Sequence, residues 1–330
     1  MTGRENASTN RGLTSQWIED QRLVQHSAKM PILHERVVQL EPGKDALKYI
    51  LATGRESVII RISTLPLVTA ERLTSPDWIT IIYPLSWARE YLLNGHECET
   101  GHLYLFQGPN GFISSARQRD SITIGLRRQR LIATCASLLG VDTEDIALDD
   151  AVVKLPAAID QFFRQSLCKV LSTPDYTTRQ YGQVTMPAAL EADLYAMIAG
   201  VLAPCVFPEL KGRMGQRSSL KSLRCVSEFI DLNGCANLST ADLCRVAKLE
   251  YSRLHAVFDE VLGTSPYKYL QSARLSEARR LLLDDRNPPK SIKDVALSLG
   301  YMKSGRFAEQ YRDMFDELPS ETMARANQTR

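Results

Sequence analysis

The sequence predicts an α+β chain. An N-terminal antiparallel β barrel or sandwich with a few helices precedes an all-α domain that contains two helix-turn-helix units. Three observations carry this reading. Short runs rich in β-branched and aromatic residues, separated by turn residues, occupy residues 32–126. Helical spacing of apolar residues takes over at Arg127. Between Leu238 and Glu321 the pattern of helix, tight turn and helix occurs twice, joined by one longer helix. At 330 residues the chain is long enough for two separate cores.

Taken in order, residues 1–16 are polar, have little to bury, and are expected to be disordered. The runs SVIIRIS (57–63), WITIIYP (78–84), REYLL (89–93), HLYLFQ (102–107) and SITIGL (121–126) read as strands. Asn94-Gly95 is a hairpin signal, because both residues tolerate positive φ, and GPNG (108–111) is a second tight turn. Leu131, Ile132, Cys135, Leu138 and Leu139 then share one helix face that ends at Gly140. A second helix is expected within Ala151–Leu171, lined by Leu155, Ile159, Phe162, Phe163 and Leu167. A third is expected over Pro187–Ala203, lined by Leu190, Leu194, Met197, Ile198 and Val201. These helices carry more apolar surface than one sheet face needs; the surplus either packs on the barrel or pairs with a second copy. Residues 205–219 mix Pro, Gly, Ser and basic residues and read as a linker between domains at 17–204 and 220–330.

The C-terminal domain opens with a helix marked by Leu220, Leu223, Val226, Phe229 and Ile230. In the first unit, residues 240–262, Ser239 or Thr240 can cap a helix whose first turn carries Asp242. Leu243, Val246 and Ala247 form its inner stripe, and Leu254, Val257, Phe258 and Val261 that of the next helix, which Gly263 stops. Pro266 starts the connecting helix, with Leu270, Leu275, Ala278 and Leu282 facing inward. The second unit, residues 291–315, repeats the design: Ser291 and Asp294 resemble a capping box, Gly300 makes the turn, and Phe307, Tyr311 and Phe315 are buried. Helices reading successive major grooves of one DNA face lie about 34 Å apart. The connecting helix, Pro266–Leu283, spans about 27 Å at roughly 1.5 Å per residue.

Composition excludes more than it selects. Net charge is +2, and residues 218–330 hold 17 Lys/Arg against 15 Asp/Glu, leaving 23 of each sign upstream. Bulk charge therefore does not point to nucleic acid; the basic side chains must be arranged on one face. The seven cysteines form no C-x-x-C pair and read as small buried residues in a reducing cytoplasm. The N-terminus lacks a signal-peptide pattern, and the longest apolar run, Leu194–Phe207, is interrupted by Gly200 and Pro204. It falls short of the roughly 20 residues a membrane span needs. A cytoplasmic, nucleoid-associated location with no membrane partner is expected.

GTSPYKYLQSARLSEARRLLL (263–283) and IKDVALSLGYMKSGRFAEQYRDMFDELPSET (292–322) together resemble the AraC/XylS family of bacterial transcription regulators, most closely its XylS branch. The resemblance covers about a third of the chain. It implies a transcription regulator, more often an activator, that binds double-stranded promoter DNA and engages RNA polymerase, with homodimerisation open. It also makes the N-terminal half, read as a cupin-like barrel or sandwich, the part that receives a small effector. XylS-like relatives bind small aromatic carboxylates there.

Carried over position by position, the resemblance makes Tyr251, Ser252, Arg253 and His255 the DNA-facing residues of the first unit. Ser252 and His255 can hydrogen-bond a base or a phosphate, whereas Ala256 can only touch a thymine methyl. Many relatives have an arginine where Ala256 stands and a small N-cap residue where Glu250 stands; these departures weaken guanine-specific reading here. The second unit presents Lys303, Ser304, Arg306, Glu309 and Arg312. Lys303 and Arg312 suit phosphate clamps. Arg306 suits a guanine edge or a phosphate, and Glu309 a cytosine amine or an ion pair with Lys303 or Arg312. A carboxylate effector would want a partly buried cation, and Arg61 and Arg89 are the strand arginines that suit it.

His96, Glu97 and His102 do not match the cupin H-x-H spacing, so no metal or other cofactor is expected. With neither a G-x-S-x-G segment nor a reactive Cys-His cluster, no enzyme is expected. The competing readings are a ligand-independent regulator governed by a protein partner, and a cupin-type enzyme fused to a DNA-binding domain.

Overall fold

The computed structural model describes residues 32–43, 48–64, 66–107, 111–172, 183–203, 218–284 and 287–328. The N-terminal tail, nearly all of the interdomain stretch and most of the GPNG turn read from the sequence lie outside these residues. The fold mixes one ten-stranded sheet with ten α-helices among the described residues. The strands are β1 (Ile32–Gln39), β2 (Lys48–Thr53), β3 (Ser57–Ser63), β4 (Val68–Thr74) and β5 (Trp78–Leu93). They continue as β6 (His96–Glu97), β7 (His102–Gln107), β8 (Phe112–Arg127), β9 (Ala151–Lys154) and β10 (Gln183–Thr185). All pair antiparallel except β10 on β2, which is parallel.

The two 16-residue strands β5 and β8 are the spine. They pair along their whole length, with register shifts between Pro84 and Tyr91 that bend the sheet. The later half of β8 also pairs β3, and its first half pairs β4. WITIIYP and REYLL, expected as two strands, are thus one, and SITIGL is only the end of β8. The first half of β8, FISSARQR, was illegible as a strand because Ser114, Ser115 and Arg119 point polar groups into buried space. Ala151–Lys154, expected to begin a helix, pairs with β7 instead.

Three helices follow from the sheet: α1 (Arg128–Leu139), α2 (Ala157–Ser172) and α3 (Ala188–Leu202). They cover one sheet face, where Ile81, Tyr83, Leu103, Leu105 and Ile124 meet Leu131, Phe163, Leu194 and Ile198. The alternate residues Ile82, Tyr104 and Phe106 turn to the opposite face and form a second, aromatic cluster with Tyr91, Leu93, Cys98, Phe112 and Ala116. Burial on both faces explains why these strands read as continuous apolar runs rather than alternating ones.

The C-terminal helices are α4 (Ser218–Asn233), α5 (Thr240–Ala247), α6 (Tyr251–Leu262), α7 (Pro266–Leu282), α8 (Ile292–Ser298), α9 (Ser304–Phe315) and α10 (Pro319–Gln328). Their stripes fall where the sequence spacing puts them, and Leu243, Leu254, Phe258, Ala278, Ala296, Phe307 and Tyr311 are all fully buried in one core. That core also takes in Val38 of β1 and Ile113 of β8, so the sheet docks directly on the helices. Arg36 of β1 donates to the Ser227 carbonyl (3.2 Å) and pairs with Asp231, while the Ser227 hydroxyl donates to Glu71 of β4.

Candidate nucleic-acid interface

The two helix pairs α5/α6 and α8/α9 are positioned by the same local devices. Ser239 caps α5: its Oγ accepts from the Asp242 amide at 3.3 Å, and Asp242 Oδ2 accepts from the Ser239 amide at 2.9 Å. The Ser239 hydroxyl also donates to Asp242 Oδ2 at 2.7 Å, and that bond, with the one from the Ser239 amide, holds the Asp242 carboxyl below its ordinary pKa. Ser291 does the same for α8, accepting from the Asp294 amide at 3.1 Å. Ser265 caps α7, accepting from Lys268 at 3.3 Å. The expected result of Ser291→Ala is a loss of about 1 kcal/mol, read by urea denaturation.

The second helix of each pair differs. Glu250 stands at the N-cap of α6 and Lys303 at that of α9, and neither makes a side-chain cap bond. Their first-turn amides stay open to an outside acceptor, and an uncapped helix N-terminus suits a phosphate. The contrast with the three serine-capped helices was available in the sequence, as cap-incompetent residues at Glu250 and Lys303.

Burial sorts these two helices cleanly. On α6, Leu254, Val257, Phe258, Val261 and Leu262 face the core, leaving Tyr251, Ser252, Arg253, His255 and Ala256 exposed. The Tyr251 and His255 rings pack edge-on at 6.2 Å. On α9, Phe307, Tyr311 and Phe315 are buried, whereas Ser304, Gly305, Arg306, Glu309 and Arg312 are exposed along with Lys303. Glu309 takes no ion pair among the described residues, and the partner of Arg312 is Asp313 at 3.8 Å. Met302, 87% exposed in the turn before α9, is an apolar side chain on this surface that sequence reasoning passed over.

The pairs are braced against each other. Arg274 of α7 donates to the carbonyls of Cys235 (2.9 Å) and Leu238 (2.5 Å), fixing the approach to α5. Gly300 sits at φ 83°, where an added Cβ would lie 2.7 Å from the Ala236 carbonyl oxygen, so only glycine fits the turn between α8 and α9. Behind α9, Glu317 accepts from Thr322 (2.7 Å) and Arg325 (2.8 Å) and pairs with Arg279 of α7 (3.3 Å).

The sheet half holds the C-terminal ends of both outward-facing helices. Ser115 Oγ donates to the Leu262 carbonyl at 3.0 Å, and the Gly43 amide and Gln39 side chain donate to the Met314 carbonyl at 2.9 and 3.1 Å.

The strand arginines singled out for an effector lie apart. Arg61 spends Nε and Nη2 on Asp120 at 3.0 and 2.6 Å, a bond that raises its pKa further. Arg89 is exposed at a positive-φ bulge of β5. His102 Nδ1 lies 3.0 Å from the Thr100 carbonyl, and the described residues contain no group of three metal-capable side chains. Nor is any described helix long and apolar enough to cross a membrane.

A family model described as a helix-turn-helix domain matches residues 243–325. The chain is 33% identical over 128 residues to a XylDLEGF operon transcriptional activator of Pseudomonas putida, covering 38% of this chain and 40% of that protein. XylDLEGF operon transcriptional activator 2 of the same species is 30% identical over 142 residues, covering 42% of this chain and 88% of that protein. A solved structure, that of a probable AraC family transcriptional regulator from Rhodopseudomonas palustris, is 34% identical over 32% of this chain and 97% of its own, with a TM-score of 0.29.

Proposed function

Because the chain belongs to the AraC/XylS family of transcription regulators, we propose that it binds promoter DNA through two helix-turn-helix units and activates transcription in response to a small effector. The α5/α6 and α8/α9 pairs are the two units, α6 and α9 lie in the major groove, and RNA polymerase is the downstream partner. The sheet half, a cupin-like barrel or sandwich, receives the effector, for which an aromatic carboxylate is the family-based expectation. Residues 220–330 form the DNA-binding domain, 17–204 the sensing and dimerising one, and 205–219 the linker.

One observation carries the DNA reading. Of the helices in the two pairs, α6 and α9 alone lack a side-chain cap, and both expose a polar face, while the first helix of each pair is serine-capped. Open amides, with Lys303 at the N-terminus of α9 and Arg312 in its last turn, suit backbone phosphates and fix register. Tyr251, Ser252, Arg253 and His255 from α6, and Ser304, Arg306 and Glu309 from α9, then address base edges. Leu138, Ile159 and Phe162 remain exposed on α1 and α2, which supports a dimer face there.

Footprinting on the promoter upstream of the chain's own gene tests this, with protection expected over two adjacent major grooves. Arg306→Ala should weaken binding by about 1–3 kcal/mol and relax specificity at one base position. Equal weakening across every site variant would make Arg306 a phosphate contact. No sequence preference in the unsubstituted protein would overturn the proposal.

A further inference from the structure

Both outward-facing helices end on the sheet half. The last carbonyl of α6, that of Leu262, accepts from Ser115 Oγ of β8 at 3.0 Å. The last but one of α9, that of Met314, accepts from the Gly43 amide at 2.9 Å and from Gln39 Nε2 of β1 at 3.1 Å. Carbonyls in a last turn have no partner within their own helix, so what they bond to fixes where the helix end sits. Gln39 Nε2 also donates to the carbonyls of Glu41 and Gly43 at 2.7 and 2.9 Å, which ties residues 39–43 into one support. At α6 the Asn94-Gly95 turn adds to the hold. Asn94 bonds Ile113 through its amide (2.7 Å) and its Oδ1 (2.8 Å), and a Cβ on Gly95 would lie 3.3 Å from Val261 of α6.

The two supports belong to one row of the sheet. β1 pairs β4 with Val38 opposite Thr69 and Gln39 opposite Val68, and β4 pairs β8 with Thr69 opposite Ser115. Gln39 and Ser115 therefore stand two strands and one residue apart, a backbone separation of about 10 Å. Val38 and Ile113 enter the helical core beside them, and register is strongly specified where a sheet face is buried. The braces within the helical half act elsewhere, Arg274 at the approach to α5 and Gly300 at the turn before α9. Each of the two 12-residue helices is about 18 Å long. A tilt of about 10° at the C-terminal end then moves the first turn by about 3 Å, close to the rise of one base pair, about 3.4 Å.

We propose that Ser115, Gln39 and Gly43 are positioning residues. By tying the ends of α6 and α9 to one row of the sheet, they set the separation and mutual tilt of the two helices, and so the half-site spacing that the two units read together. This rests on the reading of α6 and α9 as the DNA-reading helices. Ser252, His255 and Arg306 stay exposed with the halves docked, so the sheet aligns the reading surface rather than covering it.

The test uses the full chain carrying Ser115→Ala and Gln39→Met together, which removes both side-chain donors and leaves Val38 and Ile113 in the docking face. Spin labels at the exposed Asp259 of α6 and Asp313 of α9 give the first readout, with no DNA present. One narrow distance is expected in the unsubstituted chain and a broad distribution in the double variant. The second readout is affinity for the footprinted site with one base pair inserted between its half-sites, a displacement of about 3.4 Å and roughly 34°. The insertion should weaken binding by the unsubstituted chain about tenfold, and by the double variant less than about threefold. Ser114→Ala controls for simple destabilisation. It deletes the neighbouring buried hydroxyl, which bonds the Ala70 carbonyl and Arg119 within the sheet, and should leave both readouts unchanged.

An unchanged distance distribution in the double variant would overturn the proposal, as would an equal insertion penalty in both proteins. Should the double variant fail to fold, Ser115→Ala alone is held to the same two outcomes at the α6 end. Absence of promoter binding in the unsubstituted chain would instead sink the DNA reading, and the label distances would still decide whether the sheet positions the helices.

Discussion

Glu317→Ala should destabilise the helical half by about 3–5 kcal/mol, the cost of breaking a buried ion pair from one side. Glu317 is 8% exposed between α9 and α10, where it receives Thr322, Arg325 and Arg279. Thr322 in turn lies 2.8 Å from the buried Tyr311 hydroxyl. Removing the carboxylate strands the Arg279 guanidinium, whose Nη1 already lacks an acceptor. Burial alone would raise the Glu317 pKa, but the hydrogen bonds from Arg325 and Thr322 and the charge of Arg279 outweigh it and hold the carboxyl low.

The pH dependence follows from that direction. A depressed folded-state pKa contributes stability that is complete above the unfolded value, near 4.3 for glutamate, and is lost as pH falls through the folded one. Urea denaturation across acidic pH should show this component in the unsubstituted protein and not in Glu317→Gln. An unchanged midpoint for Glu317→Ala at neutral pH would show that α9 does not depend on this network. Because α9 carries Arg306, loss of the network should also blur base discrimination before it abolishes binding.

The second large effect is expected at the docking face. Val38 is 2% exposed in the same core as Phe258 and Leu270, so Val38→Asp puts a carboxylate into that apolar core. The cost is about 3–5 kcal/mol while the halves stay docked, and separation relieves it. All three tryptophans lie in the N-terminal half, at 17, 78 and 87, so their fluorescence reports that half. Far-ultraviolet circular dichroism is weighted toward the helices. The two signals should give one transition in the unsubstituted chain and two in Val38→Asp. Coincident transitions in the variant would refute independent folding of the halves. Undocking also frees the Leu262 and Met314 carbonyls, and with them the C-terminal ends of α6 and α9, from the sheet. The variant's affinity for promoter DNA then measures whether docking restrains or supports reading.

Much of the helical half was legible because its signals are local. Ser239 with Asp242, Ser291 with Asp294, and the spacing of Phe307, Tyr311 and Phe315 each specify a helix start or a buried stripe within a few residues. The sheet half was legible only where strands are apolar throughout. The first half of β8 and all of β4 escaped because they bury Ser114, Arg119 and Arg72, and a polar run in sequence looks like a loop wherever its partners are distant.

The sequence by itself determined which side chains α6 and α9 turn outward, because a helix of fixed period must put Ser252, His255 and Arg306 opposite its buried stripe. Only the tertiary structure decided which strand arginine is spent and which is not. Arg61 and Arg119 are the same residue type on neighbouring strands, and what separates them is register: one meets Asp120, 59 positions away, while the other turns into an aromatic interior. Charge pairing and burial are set by distant residues brought together in the fold, and no local pattern encodes them.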